Sequence, residues 1–426
     1  MKKLKGKSYP KHRGSCIMSL SKMSKPDIIV VGSGPAGSTT ARFLAEEGFK
    51  VKILEAKSHV GIPVRCGEAV ARDTFEDILK IPMPENAVRS TIEGFRVFSP
   101  NMKSIDYRLP LGEGWVVDRR VFDKEMLIAA IRAGAEIELN TKVLETKIDK
   151  EKGVTLKTEH KGKEVIHTAP VVIGADGIYS TVARDVGLAK PIDPIDLDTS
   201  VGYEMVDVDF PEKGMFDLYV GAELVPRGYI WVFPKGDHCA NVGLGIGVGF
   251  AKKPVKEYLD DFIFKHPEGK KRFKNAKIIE ERVGAIPVGG PLEQLATDRV
   301  LLVGDAARQV NPLTGGGIAY GMEAGKMISN TLVEAFEKEK FNEDFLRKKY
   351  EAYWDKDYGT SFGMGMRARK ILDKITDDQM NNIVDVLDGE DLVKAVKGRW
   401  KQIKIGAKLM KKDPSLVKLL NQALFG

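Results

Sequence analysis

The chain has 426 residues, 43% of them hydrophobic and 30% charged. That is enough for two or three domains with sizeable cores, and too apolar for a disordered tract. Its net charge of +7 is concentrated at the start: residues 1–25 carry eight Lys/Arg and no acid, leaving 59 basic against 60 acidic residues, so no nucleic-acid partner is expected.

No apolar run approaches the roughly 18 residues of a spanning helix. Three cysteines, Cys16, Cys66 and Cys239, suggest a reducing, cytoplasmic setting, without a disulfide framework or a metal site. Residues 1–25 have no helical period and no apolar stretch of a secretory signal. A disordered basic tail is expected there, with Met18 and Met23 as alternative starts just ahead of the first strand.

Residues 27–32 (DIIVVG) read as a buried parallel strand, residues 35–48 as a helix and 50–55 as a second strand, the start of a βαβ unit. Residues 92–109 read as strands, 119–133 as an amphipathic helix, and 135–159 and 170–174 as strands again. Residues 199–248 alternate β-branched, aromatic and glycine residues, which predicts an antiparallel sheet. Residues 299–304 read as another buried strand, and helices dominate from about Gly315 onward.

Three motifs carry chemistry. Gly32-Ser33-Gly34-Pro35-Ala36-Gly37 joins the first strand to the first helix, and Glu55 ends the next strand 18 residues after Gly37. The glycines allow a tight turn, the helix N-terminus offers N–H groups to a pyrophosphate, and the acid suits a ribose hydroxyl. Ile173-Gly174-Ala175-Asp176-Gly177 ends a second buried strand, with Ser180 and Arg184 following. Val303-Gly304-Asp305-Ala306-Ala307 ends a third, and Gly315-Gly316-Gly317-Ile318 opens a helix. An Asp at a strand end can hold a ribityl hydroxyl, and a helix N-terminus can face the electron-rich edge of a reduced flavin. Together they predict FAD rather than NAD.

Two further segments narrow the reading: Arg65-Cys66-Gly67-Glu68, and Pro226-Arg227-Gly228-Tyr229-Ile230-Trp231-Val232-Phe233-Pro234. Over roughly residues 26–420 the chain resembles FAD-dependent proteins of the para-hydroxybenzoate hydroxylase group. The nine-residue aromatic signature is similar to that of the geranylgeranyl reductases, above all the archaeal digeranylgeranylglycerophospholipid reductases. The resemblance implies an α/β (α+β overall) architecture, with a Rossmann-like FAD-binding domain, an inserted antiparallel-sheet substrate domain and a C-terminal helical region. The expected division is a tail at 1–25, an FAD domain from 26–90, 110–190 and 278–335, a substrate domain from 91–109 and 191–277, and helices over 336–426.

The implied activity is saturation of isolated double bonds in a polyprenyl glycerol lipid, with hydride from reduced FAD and a proton from the protein or water. Carried over by position, Gly32, Gly34, Ala36 and Gly37 fall at the phosphates, Glu55 at the ribose and Val143 at the adenine. Arg65, Cys66, Gly67 and Ala69 lie along the flavin. Arg119 reaches towards the FAD, with Arg120 its competitor, and Asp305, Gly317 and Ile318 form the ribityl and flavin end.

Cys66 is the candidate acid, or else it only packs against the ring. Glu68 orients the loop, relays a proton, or is a solvated charge. Tyr229, Trp231 and Phe233 share one face of a strand, as a substrate wall or as core.

Residues 392–426 hold nine Lys/Arg against Asp413, interleaved with Trp400, Ile403, Ile405, Leu409 and Met410. They read as a peripheral contact with the inner face of the cell membrane or as a solvated helical face. No second dinucleotide fingerprint appears, so the external electron donor is NAD(P)H, a ferredoxin or a deazaflavin. The rival readings are a reductase of a pigment or diphosphate, an aromatic monooxygenase of the same fold, and a non-enzymatic prenyl-lipid carrier.

Overall fold

A computed structural model describes residues 25–108, 114–391, 408–409 and 411–416. A six-stranded sheet runs in the order Ala296–Thr297, Val300–Leu302, Val171–Gly174, Ile28–Val31, Val51–Leu54 and Glu136–Glu138. It is parallel except for the short hairpin at 296–302. Ile28–Val31 lies near its centre with all four residues buried, which is why that stretch is continuously apolar rather than alternating. Pro35 opens the helix Pro35–Glu46, where its fixed φ suits the first turn.

That helix packs on Ile318–Glu337 through small residues. A Cβ on Gly321 would sit 3.0 Å from the Ala36 Cβ, and one on Gly325 only 2.4 Å from Thr40 Oγ1. This close approach brings the start of the 318–337 helix beside the turn after the first strand.

A seven-stranded sheet forms the second body, in the order Lys277–Pro287, Leu197–Val206, Cys239–Gly247, Tyr229–Pro234, Met215–Tyr219, Gly94–Phe98 and Ser104–Arg108. Helix Val255–Phe264 covers one face, burying Leu259 and Phe262 against Ile230, Val232, Val242 and Leu244. Two expectations are corrected here. The sheet is mixed, because Gly94–Phe98 runs parallel to Met215–Tyr219. Arg96 faces Asp217 across that pairing and donates to it at 2.6 and 2.9 Å, both side chains lying within the protein. A buried ion pair of this kind disfavours any other register. The sheet also extends past the expected boundary at 277, since Lys277–Pro287 pairs along the length of Leu197–Val206.

Two smaller sheets complete the strands. One is Thr141–Asp149, Gly153–His160 and Lys163–Ala169, the last a strand the sequence reading did not place. The other is Ala69–Ala71, Gly114–Val117 and Val88–Ile92. After residue 318 the described chain is helical, with further helices at Glu343–Trp354, Thr360–Leu372 and Asp377–Val386.

Of the basic C-terminal segment, Trp400, Ile403, Ile405 and Met410 lie outside the described residues, as does nearly all of the 1–25 tail. Leu409 and Leu416 are buried against Ile105, Ile375 and Leu387, so Leu409 faces protein and not a membrane.

Candidate active site

The turn after the first strand is built so that only glycine fits. Gly32 has φ +104°, and a Cβ there would lie 2.3 Å from the Ala175 carbonyl oxygen. A Cβ on Gly37 would meet the Gly32 carbonyl at 2.1 Å, whereas one on Gly34 would meet nothing within 4 Å. The backbone is thus closed towards the protein and open at Gly34, the N-cap of the first helix, where no side chain caps the helix. Glu55 is held at this turn: its Oε2 accepts from Ser33 N–H at 2.9 Å and Ser33 Oγ–H at 2.6 Å, and its Oε1 from Lys57 N–H at 2.9 Å. An ionised carboxylate has about four acceptor positions, so one remains for a ribose hydroxyl. Val143 is buried in its strand and offers only backbone.

Asp176 lies beside the Gly32 turn, with its carboxylate engaged by the fold. It accepts from Ser180 Oγ–H and from Thr181 N–H at 2.8 Å, capping the short helix Thr181–Asp185.

Asp305 stands at the other end of the cleft. Its Oδ1 lies 3.2 Å from where a Cβ on Gly317 would be, and the Cβ of Ala36 lies 2.9 Å from a Cβ built on Gly304. Asp305, the glycine turn and the start of the 318–337 helix therefore border one space. Asp305 is open to that space but surrounded by protein, and this burial raises its carboxyl above the usual range while Arg119 pulls it back. Gly317 caps the helix with no side-chain bond, and Gly315 turns with φ +66°.

Arg119 clamps Asp123 with two bonds of 2.6 and 2.9 Å. Burial opposes its charge, but Asp123, with a smaller contribution from the nearby Cys66 sulfur, raises its pKa overall. Arg120 points elsewhere, to Glu204 and Glu280, so of the two neighbours Arg119 is the one at the cleft. The tight turn, the uncapped helix start at Gly317 and the acid facing it are features that could hold an FAD, whose phosphates Gly34–Gly37 would then take and whose flavin end would lie towards Asp305–Ile318.

The loop at 65–68 lies between this cleft and the seven-stranded sheet. Gly67 lies against aromatic rings, since a Cβ there would be 3.0 Å from Phe233 Cε2 and 3.7 Å from Trp231 Cε2. Cys66 Sγ accepts from Glu68 N–H at 3.2 Å. The Arg65 side chain is exposed, while Ala69 is open to the cavity described below.

Glu68 is neither a solvated charge nor a fit proton relay. It is fully buried with φ +70°. Its Oε1 accepts from Arg119 N–H at 3.0 Å; its Oε2 accepts from Lys235 Nζ at 2.8 Å, Asn241 Nδ2 at 3.0 Å and Arg282 Nη1 at 2.6 Å. Burial alone would raise its pKa, but Lys235 and Arg282 outweigh that and hold it below the usual carboxylate range. Glu204 and Glu280 join Lys235, Arg282 and Arg120 in the same cluster. Asp118 also pairs with Arg120 at the half-buried rim, so each buried carboxylate of the cluster has a cation against it, which makes such burial tolerable.

A cavity of about 760 Å³ begins at Cys66–Gly67 and Gly315–Ile318 and runs along Tyr229, Trp231 and Phe233 to Met380, Ile383 and Val384 of the 377–386 helix. The rings follow one another, with centroids 6.0 Å apart from Tyr229 to Trp231 and 6.1 Å from Trp231 to Phe233, and Phe216 extends the row. Trp231 and Phe233 are 7% and 8% exposed. They are packed among Ile92 and Val116 and also line the cavity. The Tyr229 hydroxyl donates to the Thr314 carbonyl, tying the wall to the glycine loop. Sequence reading missed Lys235, Asn241, Arg282, Glu204 and Thr314. The available signal was a lone Asn within the apolar run CANVGLGIG and a Lys directly after Phe-Pro.

Residues 196–286 match a family model described as the geranylgeranyl reductase catalytic domain, and residues 25–212 match an FAD binding domain. A digeranylgeranylglycerophospholipid reductase of Methanopyrus kandleri is 38% identical over 399 residues, covering 92% of this chain and 98% of that protein. One from Methanocaldococcus jannaschii is 37% identical, covering 93% and 98%. Among solved structures, a geranylgeranyl bacteriochlorophyll reductase-like protein of Thermoplasma acidophilum superposes with a TM-score of 0.83 at 29% identity, covering 94% of this chain and 100% of that one. A halogenase in complex with FAD superposes at 0.68 with 17% identity, covering 94% and 86%, and shares the fold alone.

Proposed function

The chain belongs to the geranylgeranyl reductase family with FAD as its cofactor, and from that premise we propose that it saturates isolated double bonds in the geranylgeranyl chains of archaeal glycerol lipid precursors. The observation that carries this reading is the apolar cavity running from Cys66 and the glycine loop along the aromatic row. A polyprenyl chain offers nothing but hydrocarbon, so shape and area must hold it, at about 0.8 kcal/mol per buried CH₂.

Bound FAD, once reduced, supplies the hydride. The protein must exclude water and place a proton, because an isolated alkene has no conjugated carbonyl to take up charge. Two C–H bonds then replace one C=C π bond. Three side chains of the 65–68 loop and the aromatic wall are candidates for the proton, and Glu323, whose carboxyl burial pushes up to about 7, lines the same cavity beside Thr74. Glu68 is ionised and fully engaged. Tyr229 already donates to Thr314, and burial, Asp198 and Cys66 all push its hydroxyl towards a weaker acid. Glu323 is tied to the Thr74 hydroxyl. Of the other three, Cys66 remains, beside Arg119 at the glycine-loop end of the cavity. We assign it the proton, with Arg119, Asp305, Gly317 and Ile318 on the cofactor.

The electrons would come from an external donor of the NAD(P)H, ferredoxin or deazaflavin class, and the lysines and arginines of 392–426, rather than its buried Leu409, are our ground for a peripheral contact with the membrane that holds the lipid. Among the described residues no helix is long and apolar enough to cross a membrane.

Anaerobic incubation of reduced enzyme with a geranylgeranyl glycerol lipid tests the reading. Products heavier by successive pairs of hydrogens are expected. Inert lipid, together with oxygen-dependent hydroxylation of an aromatic substrate, would overturn it.

A further inference from the structure

Asn241 is completely buried in the strand Cys239–Gly247, where it lies in register between Phe233 on one neighbour and Glu204 on the other. Its Oδ1 accepts from Trp231 Nε1–H at 2.9 Å. Its Nδ2 donates to the Cys66 carbonyl at 2.9 Å and to Glu68 Oε2 at 3.0 Å.

The partners fix which way the amide faces. An indole N–H can only donate, so it must meet the oxygen; a carbonyl and an ionised carboxylate can only accept, so they must meet the NH₂. Glu68 is held ionised by Lys235 and Arg282. The amide therefore cannot turn over without opposing a donor to a donor and acceptors to an acceptor.

This one side chain joins the substrate wall to the loop that carries the thiol. Trp231 is held edge-on by its N–H, Gly67 rests against the Trp231 and Phe233 rings, and the Cys66 carbonyl is drawn to the same amide. Glu68 is also held, by Lys235 and Arg282 on its carboxylate and by Val117 N–H on its carbonyl at 2.9 Å, but the bond that Asn241 makes to the Cys66 carbonyl is on the thiol-bearing residue itself. Glu68 sits at φ +70°, a conformation a non-glycine residue keeps only under restraint. Asn241 and Glu68 share that restraint, but of the two only Asn241 also touches Trp231.

We propose that Asn241 is the positioning residue of the site: it sets the Cys66 thiol at a fixed distance from the wall along which the alkene lies. This rests on the reductase reading above. Aspartate would not serve, because its carboxylate would oppose both the Cys66 carbonyl and Glu68. Leucine fills a similar volume and makes none of the three bonds.

The test compares FAD-loaded parent, Asn241→Leu and Asn241→Asp. The first measurement is the rate at which iodoacetamide alkylates Cys66, followed by peptide mass so that Cys16 and Cys239 do not interfere. The second is single-turnover reoxidation of reduced enzyme by a geranylgeranyl glycerol lipid. Both variants are expected to bind FAD and to be reduced by dithionite like the parent. Cys66 alkylation should rise severalfold, and reoxidation should slow by about 10- to 100-fold, as misplacement by an ångström or so can cost. Should Asn241→Leu fail to fold, Asn241→Asp, which keeps the acceptor for Trp231, carries the same expectation.

Alkylation at the parent rate in the folded variants overturns the proposal, whatever happens to turnover, and so does unchanged reoxidation. If the parent itself is not reoxidised by lipid, the reductase reading fails, and the alkylation rates alone decide whether Asn241 positions the loop.

Discussion

Two glycines on adjacent strands should respond oppositely to the same substitution. Trp231, Gly243 and Gly202 face one another in register across three strands, and the indole lies over the space that side chains at 243 and 202 would fill. A Cβ on Gly243 would sit 2.4 Å from Trp231 Cζ2, 2.7 Å from Cε2 and 2.9 Å from the Val201 carbonyl oxygen. The backbone oxygen cannot yield, and the indole is held by Asn241 at 2.9 Å and stacked on Phe233. Gly243→Ala must therefore push the indole into the cavity. Overpacking of this kind costs about 1–3 kcal/mol, offset by about 0.4–1 kcal/mol from a less flexible unfolded chain.

At Gly202 the nearest atoms to a Cβ are the Val242 carbonyl oxygen at 3.5 Å, Gly243 Cα at 3.7 Å and Trp231 Cζ2 at 3.8 Å, all ordinary contacts. Gly202→Ala should be neutral or stabilising by about 0.4–1 kcal/mol. Thermal midpoints of the FAD-loaded proteins read the stability, and anaerobic reoxidation by lipid reads the wall. Gly243→Ala should lose both, with its flavin spectrum intact, and Gly202→Ala should lose neither. If the two variants behave alike, or Gly243→Ala turns over lipid at the parent rate, Trp231 does not shape the substrate space.

Asp305→Ala should raise the FAD dissociation constant at least about tenfold, roughly 1.4 kcal/mol for one lost hydrogen bond, measured by flavin fluorescence on titration; unchanged affinity would remove Asp305 from the ribityl end. Cys66→Ser should keep FAD and its reduction but slow reoxidation by lipid by one to three orders of magnitude, roughly 1.4–4 kcal/mol, and reoxidation at the parent rate would exclude Cys66 as the acid. Glu323 is buried in the cavity wall, and burial pushes its carboxyl up to about 7, helped by Asp73 and Asp357 and opposed by the Thr74 hydroxyl bond at 2.7 Å. A carboxyl whose pKa is higher folded than unfolded binds its proton more tightly in the native state. Stability should therefore fall as pH rises from about 4.5 to 7, by about 3 kcal/mol in all. Glu323→Gln, which keeps an acceptor for Thr74, should flatten that slope in melts taken between pH 4.5 and 8.

The cofactor end of the site is legible because its signals are local. Gly32, Gly34 and Gly37 fall within one turn, and the turn's geometry admits nothing larger at Gly32 or Gly37. The aromatic row is legible because alternation along a strand places Tyr229, Trp231 and Phe233 together. The mixed topology of the large sheet is not, since what fixes it is an ion pair between Arg96 and Asp217, 121 residues apart. The strand Lys277–Pro287 reads KIIEERVGAIP, with no strict apolar–polar alternation to mark it; its place at the edge, beside Leu197–Val206, is set by a pairing with residues about 80 positions earlier, so the sequence division left it with the FAD domain.

Glu68 illustrates what no local pattern contains. Its partners come from Arg119, Lys235, Asn241 and Arg282, separated from it by 51 to 214 residues. Read alone, a Glu two residues after a reactive Cys is an equally good acid, anchor or surface charge. The fold decides by supplying cations. A carboxylate can hold a loop in the interior only if it is ionised and matched, and the Lys235 and Arg282 charges that match it lower its pKa. The bonds that make Glu68 an anchor thus remove it as a proton donor, and the same cluster, through Asn241, reaches the backbone of Cys66 and the indole of Trp231. The Cys-Gly-Glu loop and the aromatic signature, about 165 residues apart in the chain, are in this way one mechanical unit: a change at either should alter the distance between thiol and wall before it alters the binding of the cofactor.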